Sequence, residues 1–306
     1  MSQPDFDSLT PHRDFSRRDF VRTSVGSGFA AAVLPVMAQT EVKTDTVGLI
    51  AGEVTIPVGD FKMPAYRAAP ASRVNAPVVL VVSEIFGVHE YIADVVRRFA
   101  KAGYFAVAPE LFVRQGDAMA YGEIAKLIAE VTHRVSDAQV MGDLDATVAW
   151  AQLQGAGVDR TAITGFCWGG RITWMYAAHN KAVKAGVAWY GRLEGAPNPL
   201  SPTNPIDLVG STNGPVLGLY GGADTGIPQA SIDKMKAALA TGSAAAKKSV
   251  FVVYDGAPHA FHADYRPSYR KEAAEDGFKR ALAWFKANGV AAVAATPAAA
   301  AQSTPY

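Results

Sequence analysis

Apolar residues along this chain fall into short unbroken runs separated by longer amphipathic stretches, the pattern of parallel strands joined by helices. Pro77-Val78-Val79-Leu80-Val81-Val82-Ser83 is nearly all apolar, as a strand covered on both faces must be. Further strands are expected at 105–108, 161–164, 185–189, 216–220 and 250–254, and 47–66 reads as an antiparallel hairpin at the sheet edge. Helical spacing occupies 91–102, with Gly103 placed as its C-cap. A longer helical stretch spans 118–154, where Ile124, Leu127, Ile128, Val131 and Val135 share a face and Ser136 marks a candidate break. Helices are also expected at 169–179, 231–240 and 267–287. No internal repeat or linker interrupts this alternation. The expectation is a single α/β domain over 47–288, with a mostly parallel central sheet flanked by helices.

Composition narrows the classes of function. The chain has 306 residues, 49% of them hydrophobic, enough for one large core. Its formal net charge of +1 gives no basis for binding nucleic acid or an anionic membrane. With one cysteine, neither an intramolecular disulfide nor a thiolate metal cluster can form within the chain.

The two ends read differently from the middle. Ser16-Arg17-Arg18-Asp19-Phe20-Val21-Arg22 matches the twin-arginine pattern of the bacterial Tat exporter. A weakly apolar run over 25–36 follows, and Val36-Met37-Ala38 offers small residues for cleavage. That run is too short and too rich in Gly and Ala for a stable membrane span. Residues 1–38 are therefore expected to be a signal segment that engages the Tat machinery, with the mature protein periplasmic or secreted. Residues 39–46 would form an N-terminal arm, and the Ala- and Pro-rich stretch 289–306 a mobile tail.

The only cysteine stands in Gly165-Phe166-Cys167-Trp168-Gly169-Gly170, directly after an apolar run. This is the G-x-nucleophile-x-G layout of a strand-turn-helix elbow, with sulfur where serine usually stands. A lone cysteine is also a common small buried hydrophobe, so the elbow needs partners. Two follow it in order. Asp224 comes after the 216–220 strand through Gly221-Gly222-Ala223, and His259 comes after the 250–254 strand through Asp255-Gly256-Ala257-Pro258. Taken singly, Asp224 suits a turn and His259 a cap or surface position. Together, in the order nucleophile, acid, histidine, they form the triad expected of an α/β-hydrolase.

Glu84 closes the first buried strand, where a carboxylate is costly to desolvate without a partner. It is expected to face Cys167, as proton acceptor or hydrogen-bond partner. The backbone N–H groups of Ile85 and Trp168 are candidate oxyanion donors, the second because it opens a helix. Tyr190, just after the 185–189 strand, joins the same sheet edge as a substrate-binding candidate. His259 and His262 are three residues apart, but no carboxylate completes a metal-binding spacing, and neither metal nor cofactor is expected.

Glu84-Ile85-Phe86-Gly87, the 165–170 elbow, the Gly221-Gly222-Ala223-Asp224 turn with Pro228, and Gly256-Ala257-Pro258-His259-Ala260-Phe261 together resemble the dienelactone hydrolase (carboxymethylenebutenolidase) family. The resemblance spans about residues 47–288. It implies an α/β-hydrolase fold, with Cys167 as nucleophile, His259 as base, Asp224 as its orienting acid and Glu84 as activator of the thiol. It also implies a substrate-carboxylate arginine in the loop after the next strand, here Arg114. In the best-known members a second arginine follows the histidine by four residues. This chain has Ala263 there and Arg266 three residues later, which is the second substrate-binding candidate for the same carboxylate.

The expected activity is hydrolysis of a small lactone or ester through a thioester acyl-enzyme. The alternative is a non-catalytic periplasmic protein that captures small carboxylates on the same fold. A thiol redox role lacks a resolving cysteine.

Overall fold

Strands covered on both sides need helices on both sides, and the computed structural model, which describes residues 41–293 except Arg73, has that layout. Among the described residues one sheet holds eight strands in the order β1-β2-β4-β3-β5-β6-β7-β8. They are β1 (Leu49–Val58), β2 (Phe61–Pro70), β3 (Pro77–Val82), β4 (Phe105–Pro109), β5 (Gly157–Phe166), β6 (Val183–Trp189), β7 (Val216–Gly221) and β8 (Val250–Tyr254). β1 and β2 form the expected edge hairpin, and β2 meets β4 antiparallel; β3 to β8 are parallel. Every residue of β3, β4 and β7 is buried. That explains why these strands show no polar alternation.

The helices are α1 (Glu90–Lys101), α2 (Ile124–Glu130), α3 (Asp137–Leu153), α4 (Trp168–His179), α5 (Gln229–Thr241) and α6 (Lys271–Ala287). From β3 the chain steps to β4, then returns across β3 to β5. Right-handed crossovers therefore place α1 and α3 on opposite faces. α6 joins α1 through Phe99, whose ring lies 4.9 Å from Phe278 and 5.9 Å from Phe285. α4 joins α3 through Arg171, which grips both Asp137 oxygens at 2.7 and 2.8 Å. The reversal at β3 opens a crevice at the carboxyl ends of β3 and β5, where ligands of such sheets bind. Glu84 and Cys167 sit at those ends.

Several boundaries differ from the sequence reading. The break at Ser136 is real: its hydroxyl accepts the Gln139 N–H at 3.1 Å and caps α3, while 3₁₀ turns flank α2. α6 begins at Lys271 rather than Pro267, because 267–270 form a turn in which the Arg270 N–H donates to the Phe261 carbonyl at 2.9 Å. At the carboxyl end, order continues past 288. Val290 is fully buried and the Val293 N–H donates to the Gly103 carbonyl, so the expected tail starts later than 289. The arm at 41–46 is fastened to α1. The Thr44 N–H donates to Asp94 at 2.6 Å, and Arg97 returns a bond to the Thr44 carbonyl at 2.8 Å. The expected signal segment 1–38, residues 39–40 and the expected tail from 294 lie outside the described residues. Among the described residues, no helix is long and apolar enough to cross a membrane.

Candidate active site

Glycines build the elbow by letting three backbones touch. A Cβ on Gly165 would collide with the Gly169 carbonyl, and one on Gly169 would meet the Ser83 carbonyl at 2.6 Å and that of Val82 closer still. α4 can therefore start against β3 and β5 with no side chain between them. The turn carries its strain at Cys167 itself, at φ 54° and ψ −113°. The Cys167 N–H donates to the Trp189 carbonyl at 3.0 Å, and the Cys167 carbonyl accepts from Gly170 and Arg171. The thiol is left partly exposed at the N-terminus of α4, where unpaired N–H groups favour negative charge.

Two short loops bring the acid and the histidine together. The Gly222 N–H donates to the Tyr254 carbonyl at 2.8 Å and the Ala223 N–H to the Ala257 carbonyl at 3.0 Å, lacing the loop after β7 to the loop after β8. Asp224 Oδ2 lies 2.7 Å from His259 Nδ1, and Oδ1 accepts the N–H groups of Gly226 and Ile227 at 2.9 and 3.1 Å. This network puts the imidazole proton on Nδ1 and leaves Nε2 for chemistry. Nε2 is buried and has no formed hydrogen bond, although Cys167 is near enough for its charge to act on the ring. Burial alone would lower the His259 pKa from 6.5. Negative charge on Cys167 and the bond to Asp224 outweigh it and push the value up to about 10.

The expected oxyanion donors are both available. Neither the Ile85 N–H, in the turn after β3, nor the Trp168 N–H, at the first residue of α4, has an acceptor among the described residues.

Glu84 is 1% exposed, and its hydrogen bonds differ from the sequence expectation. None of them joins it to Cys167. Oε2 accepts from Tyr265 Oη and Arg266 Nη2, each at 3.0 Å, while Oε1 has no hydrogen bond. Arg266 is equally buried, lying over the rings of Phe86 and Tyr265 with Nε and Nη1 unsatisfied. Burial is the largest influence and disfavours its charge, but Glu84, Tyr265 and Cys167 together outweigh it and raise its pKa. It therefore keeps two charged donors without hydrogen-bond partners among the described residues, next to Glu84 at the end of β3.

Arg114 requires a correction. Its Nη1 and Nη2 bind the two oxygens of buried Asp143 at 2.6 and 2.8 Å, and its guanidinium lies over Phe61. Both terminal nitrogens point at an internal carboxylate, so this arginine ties the loop after β4 to α3 and is not free for a substrate carboxylate. Tyr190 does lie in the cluster. It takes the unusual φ of 39°, and its ring meets His259 edge-on at 5.1 Å. Burial first, then the charge of Glu84, hold its phenol protonated.

Residues that the sequence reading did not select complete the walls. Tyr265 donates to Glu84, and His89 Nε2 stands 4.0 Å from the same carboxylate. Burial and then Arg266 push the His89 pKa down to about 3, so it is neutral. The one legible signal for both was adjacency to Glu84 or Arg266. His262 is far from a metal-ligand role: its Nδ1 pairs with Tyr91 Oη at 2.6 Å and its ring packs 4.4 Å from Trp189. Among the described residues, no group of three or more His, Cys, Asp or Glu is placed to hold a metal ion.

Residues 63–289 match the Dienelactone hydrolase family. A Methylorubrum extorquens protein named "Putative carboxymethylenebutenolidase" is 59% identical over 288 residues, covering 94% of this chain and 98% of its own length. An Escherichia coli K12 protein of the same name is 50% identical and covers 87% and 97%. A crystal structure titled "Putative Dienelactone Hydrolase", from Klebsiella pneumoniae, has a TM-score of 0.75 at 52% identity, covering 78% of this chain and 98% of that one. The chain therefore belongs to the dienelactone hydrolase family, as an enzyme of the α/β-hydrolase fold that hydrolyses ester or lactone bonds.

Proposed function

We propose that the enzyme opens small lactones or esters through a thioester on Cys167, and that a substrate carboxylate is held by Arg266. The observation that carries this reading is the strained Cys167 elbow beside a part-buried His259–Asp224 pair. The reacting form of the site pairs a Cys167 thiolate with an imidazolium at His259, and the raised pKa of His259 supports its half of that pair. Thiolate attacks the carbonyl carbon, and the oxyanion takes the Ile85 and Trp168 N–H bonds. The tetrahedral centre collapses to the thioester as the imidazolium gives its proton to the leaving alkoxide, which in a lactone stays tethered. Neutral His259 then takes a proton from water as the oxygen attacks the thioester. Expulsion of thiolate releases the acid and restores the thiolate–imidazolium pair. Asp224 fixes the tautomer throughout.

Arg266 supports the carboxylate specificity because its Nε and Nη1 have no hydrogen-bond partner among the described residues, while Glu84 orients its Nη2. Residues 1–38 carry the twin-arginine pattern, an apolar run and Ala38, which supports Tat export and action in the periplasm or outside the cell.

The test is turnover of matched lactones and esters with and without a free carboxylate. Wild type should favour the acid-bearing member of each pair, and Arg266→Gln should cut that preference by about 10- to 100-fold, the value of a charge-assisted hydrogen bond of about 1.5–3 kcal/mol. Because Arg266→Gln also takes from Glu84 its cationic partner, the ratio of the two substrates per folded enzyme is the quantity read. An unchanged ratio rejects the role of Arg266.

A further inference from the structure

The turn that carries Ile85 lies between the end of β3 and the start of α1, and its conformation decides where that N–H points. Inside the turn, one backbone bond joins the His89 N–H to the Gly87 carbonyl at 3.2 Å. From outside, a side chain reaches in. Glu110 follows the last residue of β4, with its own N–H fixed to the Pro64 carbonyl at 2.9 Å. Its Oε2 accepts the Val88 N–H at 2.7 Å. The fit is close enough that a side chain at residue 87 would have to displace the Glu110 carboxylate. A Cβ on Gly87 would lie 2.6 Å from both Glu110 carboxylate oxygens, and the residue stands at φ +75°. Gly87 thus leaves room for a carboxylate to reach the next backbone N–H, and Glu110 occupies that room. A carboxylate after a strand buried along its whole length is costly unless its bonds compensate. Nothing in the chemistry proposed for Cys167, His259, Asp224 or Arg266 uses this one.

We propose that Glu110 is a positioning residue for the oxyanion hole: by clamping the Val88 N–H it holds the Gly87 turn in the conformation that aims the Ile85 N–H at the reacting carbonyl oxygen. The proposal rests on the reading of Ile85 as an oxyanion donor. Glu110 acts through the backbone, by its bond to the Val88 N–H. A charge-assisted bond to a backbone N–H is about twice as strong as a neutral one, which suits a clamp on a glycine-containing turn.

The test uses the full-length enzyme and compares Glu110→Ala with Glu110→Gln, whose amide oxygen can still accept the Val88 N–H. Losing one oxyanion donor outright costs about 10²–10³ in kcat, so a donor that is loosened but present should cost about 10-fold. Glu110→Ala is therefore expected to lower kcat about 10-fold with KM nearly unchanged, and Glu110→Gln to recover most of that loss. Affinity for a substrate-like aldehyde, which forms a tetrahedral adduct on Cys167, should fall in parallel with kcat in Glu110→Ala. Affinity for the product acid should not. The preference for acid-bearing over neutral substrates, which reports on Arg266, should be unaltered. Glu110→Ala with wild-type kcat overturns the proposal. So do equal losses in Ala and Gln variants, or a loss of aldehyde and product affinity together, since each marks a general structural role. Failure of wild type to hydrolyse any lactone or ester would instead count against the thioester reading itself.

Discussion

Replacing Cys167 with Ala is expected to lower lactone and ester turnover by about 10⁴-fold or more, the scale of losing a triad nucleophile, while the protein remains folded. The fold should survive because the thiol lies at the mouth of the crevice, and the positive φ at residue 167 strains Ala no more than Cys. A second readout follows from charge. The His259 pKa is held near 10 against burial by Cys167 and Asp224, so removing the sulfur should lower it, as NMR titration of the imidazole would show. The sign for stability is fixed by the same values. His259 titrates near 6.5 when unfolded and higher when folded, so its protonated form adds stability that is complete below pH 6.5. That contribution disappears as pH rises toward about 10, and the Cys167→Ala variant should show less of this pH dependence than wild type. Wild-type turnover in the variant would remove Cys167 from the mechanism.

The second large effect belongs to Gly169. Its Cβ position is faced by the carbonyls of Val82 and Ser83, which are backbone atoms at the end of the fully buried β3 and cannot swing aside. Gly169→Ala is therefore expected to destabilise the fold by about 3 kcal/mol or more, the upper range for an overpacked core. It should also reduce activity in the molecules that remain folded, because any relief moves α4 away from β3 and takes the Trp168 N–H out of line with Ile85. Gly142→Ala is the matched control. Nothing lies within 4 Å of that position on α3, so there the exchange should stabilise by about 0.5–1 kcal/mol. Denaturant midpoints of the two variants measure the contrast. Equal midpoints would show that the elbow tolerates a side chain where strand and helix touch.

How much could be read from the sequence depended on the range of the physics. Strands β3, β4 and β7 were visible because burial on both faces erases polar alternation, and Ser136 was visible because a cap bonds only three residues away. The order of elbow, acid and histidine was likewise local to loops of small residues. The partners of the charged groups were not local. Arg114 and Asp143 lie 29 residues apart, and Glu84 and Arg266 lie 182 apart. No spacing rule pairs either arginine with its internal carboxylate, so the sequence offered both as substrate-binding candidates, and only the contact with Asp143 removes Arg114. Residues 267–270 are outside the helix for a related reason: they form a turn whose long-range bond to the Phe261 carbonyl braces the loop that holds Arg266.

The central claim is the covalent intermediate, and one measurement addresses it directly. Wild-type enzyme mixed with excess activated aryl ester and acid-quenched within the first turnover should gain the mass of one acyl group, with peptide mapping placing it on Cys167. The Cys167→Ala variant should gain none. Hydrolysis by wild type with no acyl adduct on Cys167 at any quench time would contradict the account.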